Sequence, residues 1–554
     1  MTKKRDWKKK LDSIKIEGRS NSTSSDNNDQ LFFSLWRNKF IKNKIILSSI
    51  DSIIIKDLSV LGRYRNKLLY LKENGVSIVY KIKDLSSFDI YTLFSCLFFG
   101  GLEPQFILPS ECLPYLIKTH QKQKLVEMIY GISISTDDQQ GVDWLKQDFL
   151  QSIKYLEYQG LTPIPENYIP QSVTAIDFRE FSEIQVNVLP KNCKSLNLGF
   201  RRSDEIESIE EIIPQGLTNL SISGLWSCSL NIDLLPKSLV KLDLTHFYGR
   251  MCGDRVNNNV KHLTTPWDTP NISNLFYSVT HFDLSCTALE NVFLPPALKY
   301  LKVNHFKPIS ALVTKFPPTL TSLISDSFSG IKDLTLQDIP NVVQYQATYS
   351  EGAFIPPHVT DLTLKLPIDI KSLPIIPSRV EKLDIDFKST HVPIDYFSNN
   401  STLAKLSIRI NHVLQPGSIP NTVTILKIKT PHPIQANVIP ASVTKLRLTG
   451  DKINNHQHSV LPKTVKTLCL YDISPLLFNN DIQVLRHVET VKFSRNSCDM
   501  DPKNLFQQLK KFKPLPSNLK YFKFDNGIHH IVGELIVFES IPDSSTTIGI
   551  PLFK

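Results

Sequence analysis

Asp384-Ile385-Asp386 offers two carboxylates two residues apart, the kind of pair that can hold a divalent cation. His529-His530 and His456 with His458 offer imidazoles close together. Neither histidine pair has a cysteine or carboxylate cluster at ligand spacing, and no two cysteines stand as C-x-x-C, so no metal site is expected. The chain has no phosphate-cradling G-x-x-x-x-G-K-[ST] loop, no G-x-S-x-G elbow and no H-R-D kinase loop. Catalysis and cofactors are therefore not expected. The third set of residues is cationic: Lys405 and Arg409, then Lys427 and Lys429, then Lys445 and Arg447. Each pair is two or four residues apart, and the pairs recur about twenty residues apart. Cations so placed would attract carboxylates or a phosphate backbone if the fold brought the three pairs together.

A repeat is what would do so. The stretch Ile169-Pro170-Gln171-Ser172-Val173-Thr174-Ala175-Ile176-Asp177-Phe178 recurs from Pro190, Pro214, Pro236, Pro295, Pro317, Pro356, Pro377, Pro420, Pro440, Pro462, Pro516 and Pro542. Copies without the proline fall in phase around Phe276, Asn400 and Leu485, and degenerate ones around Val260/Leu263 and Ile331/Leu334/Leu336. Counted from the proline, apolar residues fall at +3, +6 and +8. The last two alternate as one face of a strand does. Proline cannot donate to a sheet ladder, so it belongs just before the strand, where its fixed φ sets the entry turn. Stacking such units yields one long parallel sheet, stable only as an array. Pro431 and Pro433 forbid a helix on the return path, so few helices are expected. The expected fold is a β-rich solenoid, leucine-rich-repeat-like, with 20–24-residue repeats.

These residues resemble the FNIP repeat family, a leucine-rich-repeat-like group abundant in social amoebae. Ile439-Pro440-Ala441-Ser442-Val443-Thr444-Lys445-Leu446-Arg447-Leu448 matches the first half of the family's unit, and Pro416-Gly417-Ser418-Ile419-Pro420 matches its end. Pro433-Ile434 precedes Pro440 as the family's P-I precedes its I-P. Ile410-Asn411 and Ile453-Asn454 stand where the family has Phe-Asn, so the copies are divergent. The resemblance covers about 160–554 and implies a repeat scaffold rather than an activity.

Positions +5, +7 and +9 should line the concave sheet face. Early copies place Asp177 and Arg179, Ser195 and Asn197, Asn219 and Ser221, Lys241 and Asp243, and His281 and Asp283 there. At the three later copies, parallel stacking would align Lys405, Arg409, Lys427, Lys429, Lys445 and Arg447 into a basic strip about 10 Å along the axis, at about 4.8 Å per strand. Asp384 and Asp386 sit at +7 and +9, so strand alternation already explains their pairing.

The 35 prolines and 20 glycines in 554 residues depart in opposite directions from usual usage of about 5% and 7%. Of the net charge of +10, half lies in residues 1–19, with eight basic and three acidic residues. Residues 1–30 read as a disordered basic tail and polar linker, with nuclear import as one use of the tail. No apolar run of membrane-spanning length occurs, the longest being Ile90–Phe99. An intracellular, mainly cytoplasmic protein with reduced thiols is expected. Residues 31–160 read as a small, mainly helical domain, from Leu31–Ile45, Leu113/Leu116/Ile117 and Trp144/Leu145/Phe149/Ile153, with an F-box-like adaptor as one role; 161–554 is the solenoid. The expected function is a non-enzymatic protein–protein interaction scaffold whose strip takes an acidic protein segment. The alternatives are a substrate-recognition adaptor of a ubiquitin ligase and a nucleic-acid-associated protein. Nucleic acid ranks lower because stacking aromatics such as Tyr300, Tyr471 and Tyr521 lie outside the strip.

Overall fold

The computed structural model describes residues 52–55, 65–73, 76–82, 105–114, 127–135, 139–160, 162–181, 187–200, 209–224, 229–247, 249–253, 259–265, 275–284, 294–303, 316–325, 339, 341–349, 351–353, 355–368, 370–388, 390–449, 461–471, 485–494, 518–519, 521–524, 527–532 and 535–539. They form a 24-stranded sheet and a small two-stranded one, with very few helices. Every strand of the large sheet pairs in parallel with the next until the end, where Gly527–Val532 and Leu535–Glu539 turn back antiparallel. The architecture is a parallel β-solenoid.

The repeat explains its own geometry. The carbonyl of each starting proline accepts a hydrogen bond from the amide three residues on: Val173 to Pro170 at 3.0 Å, Val423 to Pro420 at 3.2 Å, Val443 to Pro440 at 3.1 Å. That turn drops the +3 residue into the core, where Val173, Leu239, Val380, Val423 and Val443 are fully buried. The strand then begins, and +6 and +8 pack beneath it, as Leu426 with Ile428 and Leu446 with Leu448 do. In register, Leu406, Leu426, Leu446 and Leu468 form one apolar ladder. Each such side chain removes apolar surface from water, worth about 1.5–3 kcal/mol for a Val or Leu.

Hydroxyls at +2 and +4 tie each coil to the one before. At +2, Ser172 donates to the Ile153 carbonyl at 2.7 Å, Ser442 to Val423 at 2.8 Å and Thr464 to Val443 at 2.9 Å. At +4, Thr424 donates to Ala404 and Thr444 to Thr424, both at 3.2 Å. The Ala404 and Thr424 carbonyls also accept backbone amides from the next coil, so the +4 hydroxyls reinforce contacts the backbone already makes. The S-V-T of the repeat is therefore a fastening, with the hydrophobic Val between two donors.

Three residues before the proline the chain passes through left-handed backbone. Asn167 (φ 63°), Asn187 (φ 69°), Asn437 (φ 63°) and Gly417 (φ 90°) all occupy this place. Asparagine and glycine are the residues that adopt positive φ at least cost, so Gly417 and Asn437 answer the same geometric demand.

Residues 52–158 differ from the mainly helical unit expected for 31–160. Their described α-helices are Arg65–Glu73 and Gln139–Trp144, whereas Ser52–Ile55, Ser77–Lys81, Gln105–Pro109, Ile129–Ile134 and Tyr155–Tyr158 are strands that run in parallel into Ala175–Phe181. The stretch read as helical from Trp144/Leu145/Phe149/Ile153 leads into the strand Tyr155–Tyr158. The reason lies in burial. Phe106, Ile107 and Leu108 are all buried, and so is every residue from Leu156 to Tyr158. In Gln105–Pro109 burial on both faces gives a continuous apolar run, which periodicity cannot tell from a helix, whereas Tyr155–Tyr158 encloses the charged Glu157. These coils also lack the P-x-x-V mark. The expected helix from Leu31, the tail and linker of 1–30, Ile90–Phe99, His456, His458 and the copies at Ile331 and Pro542 lie outside the described residues.

Candidate partner-binding face of the sheet

Strand alternation sends +5, +7 and +9 to the sheet face opposite the core, and the register stacks them in three columns. One column runs Lys382, Lys405, Ile425, Lys445; the next Asp384, Ser407, Lys427, Arg447; the third Asp386, Arg409, Lys429, Thr449. The six cations singled out in the sequence thus stand on three adjacent strands of one face, Lys405–Ile410, Ile425–Lys429 and Lys445–Thr449. Lys405, Arg409, Lys429 and Lys445 are exposed, and Lys427 and Arg447 half-buried.

They are not equivalent. Arg409 donates to Asp386 at 3.0 Å, so the first coil of the strip is partly neutralised from the preceding strand. The next pair upstream is likewise matched, with Lys382 on Asp361 at 2.8 Å. Among the described residues, Lys405, Lys427, Lys429 and Lys445 make no ion pair. The spacing in sequence could not reveal the Asp386–Arg409 pair, because it crosses 23 residues. Asp384, the other half of the suspected metal pair, is half-buried beside Thr363 and Ser407. No group of three metal-ligating side chains occurs among the described residues. His529 and His530 are consecutive in Gly527–Val532.

The same face is built differently near its beginning. Glu157 and Asp177, in register on adjacent strands, are both buried. Arg179 bridges them, with Nε and Nη2 on Asp177 Oδ2 at 2.9 and 2.7 Å and Nη1 on Glu157 Oε1 at 3.3 Å. Lys81 pairs with the other Glu157 oxygen, and Asn197 donates to Asp177 Oδ1 at 2.6 Å. The Tyr155 hydroxyl lies 3.4 Å from Glu157 and 3.5 Å from Asp177. Burial, reinforced by the Asp177 and Glu157 charges, pushes the phenol well above its ordinary value, so it stays protonated. This cluster was not anticipated as a unit: Asp177 and Arg179 are legible at +7 and +9, but Lys81, Tyr155 and Glu157 sit in the unmarked coils.

Further along, His262, His281 and Tyr300 stack in register, with ring centroids 4.4 and 5.6 Å apart. Burial lowers the affinity of both histidines for a proton, and neighbouring charge adds to it: His281 and Lys241 for His262, Lys299 for His281. Beside the ladder Lys302 pairs with Asp283 at 2.9 Å.

The described thiols Cys193, Cys252 and Cys469 are free. Burial pushes the Cys193 thiol up to about 12, which leaves it a packing residue.

Two segments, 162–201 and 431–472, match the FNIP repeat family model. The chain carries FNIP repeats. The matched segments contain the strands from Ala175 and Ser195 and those from Lys445 and Thr467, so they sample both ends of the proline-marked array. Among solved structures, one similar to the chain is the crystal structure of CroV588, described as a novel circular LRR protein. It is 17% identical, with 81% of this chain and 76% of that one covered and a TM-score of 0.44. No curated protein matches the chain. No helix among the described residues is long and apolar enough to cross a membrane.

Proposed function

We propose that this FNIP-repeat solenoid is a non-enzymatic protein-interaction scaffold, and that Lys405, Arg409, Lys427, Lys429, Lys445 and Arg447 form a strip that takes an acidic protein segment. The observation that carries this is the contrast in pairing on one sheet face. Elsewhere the described cations of this face mostly meet a carboxylate from another coil, as Lys81, Arg179, Lys302 and Lys382 do; Lys405, Lys427, Lys429 and Lys445 do not. Like charges stacked in register, as Lys427 with Arg447 and Arg409 with Lys429 are, repel one another at about 4.8 Å per strand, so an arriving anion relieves a cost the free protein carries. A repeat scaffold needs nothing more than such a surface.

Reversing Lys427, Lys429, Lys445 and Arg447 to Glu tests it. Loss of binding to an acidic peptide supports the strip, and unchanged binding removes it. A salt titration separates protein from nucleic-acid partners: phosphate backbones release counterions and lose affinity steeply with salt. Tighter, steeply salt-dependent binding of an oligonucleotide than of the acidic peptide would favour the nucleic-acid reading.

A further inference from the structure

Resting on that strip, we propose that its partner segment is charge-polarised: a basic residue seats on Asp384, and an acidic run follows over Lys427, Arg447 and Lys492. The middle column of the open face continues past the strip. In register it reads Asp384, Ser407, Lys427, Arg447, Cys469, Lys492 and Lys523. Lys492 was not among the residues noted in the sequence, because Cys469 interrupts the run one coil earlier. Asp384, Lys427, Arg447 and Lys492 are all half-buried.

Asp384 and Lys492 make no ion pair among the described residues. Of the cations flanking Asp384 along its own and the next strand, Lys382 is committed to Asp361 and Arg409 to Asp386, while Lys405 is paired with neither Asp384 nor another carboxylate among the described residues. The column therefore has a carboxylate without an ion pair at one side, and along the rest the ammonium groups of Lys427 and Lys492, which make none among the described residues, with the Arg447 guanidinium between them. An all-acidic ligand laid along it would meet Asp384 with like charge; a ligand with one cation there would gain at both ends.

The distances set the ligand's spacing. Asp384 and Lys427 are two strands apart, roughly 10 Å, and Asp384 and Lys492 five strands, roughly 24 Å. An extended chain rising about 3.4 Å per residue covers these in about three and about seven residues. The segment is thus a basic residue, about three positions, then acidic residues over the next four. Carboxylates and phosphorylated side chains share the chemistry of the acidic part.

The probes are two labelled peptides of identical composition, one with lysine at one end and glutamates grouped at the other, one with the charges alternating. Binding to the full chain is read by fluorescence anisotropy. The grouped peptide should bind about tenfold more tightly than the alternating one. Asp384→Lys should abolish that preference and strengthen binding of an all-glutamate peptide; Asp384→Asn, which keeps the shape, should halve the effect or more. Lys492→Glu should weaken the grouped peptide without altering the fold. Equal affinity for the two peptides, with both lost when Lys427, Lys429, Lys445 and Arg447 are reversed, overturns the polarity and leaves the strip standing. Binding untouched by that reversal overturns both. Substituting phosphoserine for glutamate decides the source of the anion: a gain of tenfold or more assigns it to phosphate, and none to carboxylate.

Discussion

One face of one sheet carries charge in two states. At its early coils Glu157 and Asp177 are buried under Lys81, Arg179, Asn197 and Tyr155, each carboxylate answered by a cation. At its later coils Lys405, Lys427, Lys429 and Lys445 stand on the same repeat positions without an answering carboxylate. The repeat fixes where a side chain points, and the neighbouring coils decide whether its charge fastens the solenoid or is left for something else. Position within the repeat alone therefore does not mark function. Pairing across coils does.

The largest effect should come from opening the early cluster. Glu157→Ala leaves Lys81 and Arg179 facing a void, and losing one partner of a buried pair costs about 3–5 kcal/mol. Urea unfolding should show that loss, and Lys81→Met with Glu157→Leu should recover most of it. If Glu157→Ala unfolds like the parent, the cluster is not the fastening claimed for it.

Charge reversal in the strip should do the opposite. Lys429→Glu with Lys445→Glu should change stability by no more than about 0.5 kcal/mol, as exposed positions do, while acidic-peptide affinity falls tenfold or more. A comparable fall in stability would erase the distinction between the two regions. Asp386→Ala lies between them. Its pair with Arg409 is exposed enough to be worth about 0.2–1 kcal/mol, so stability should barely change. Affinity for an acidic peptide should rise, because Arg409 is released to the strip.

The smallest effect belongs to the ring ladder between the regions. Folding holds His262 and His281 below the ordinary histidine value of 6.5. The unfolded chain then binds more protons than the folded one as pH drops below about 6.5, so stability falls on acidification and is unaffected above that range. The urea midpoint should drop modestly from pH 7.5 to 5.5. His281→Phe, which keeps the stack and removes a titrating group, should flatten that slope.

The proline-marked coils were readable because each obeys local rules. A turn carbonyl, a buried +3 residue and a period of two each leave a trace in the order of residues, and Gly417 and Asn437 mark the left-handed turn. The strand Gln105–Pro109 was not readable, since burial on both faces erases the alternation that would announce a strand, and Tyr155–Tyr158 lacks the proline mark that announces the later strands. The positions of Lys427 and Arg447 on one face followed from spacing. The facts that separate them from Arg409, namely Asp386 across the ladder and the continuation to Lys492, needed the register of the stacked coils. Coil lengths here vary, for example 17 residues between Gln344 and Asp361 and 23 between Lys382 and Lys405, so pairing cannot be counted off from one repeat.

The central claim is that unpaired cations on the later coils form the binding face and paired ones on the early coils do not. Anisotropy of one acidic peptide against three forms of the full chain tests it: the parent, the Lys427/Lys429/Lys445/Arg447 reversal to Glu, and Arg179→Gln. The account predicts that the reversal lowers affinity tenfold or more while Arg179→Gln binds as the parent does. Equal affinity for all three, or a loss confined to Arg179→Gln, would contradict it.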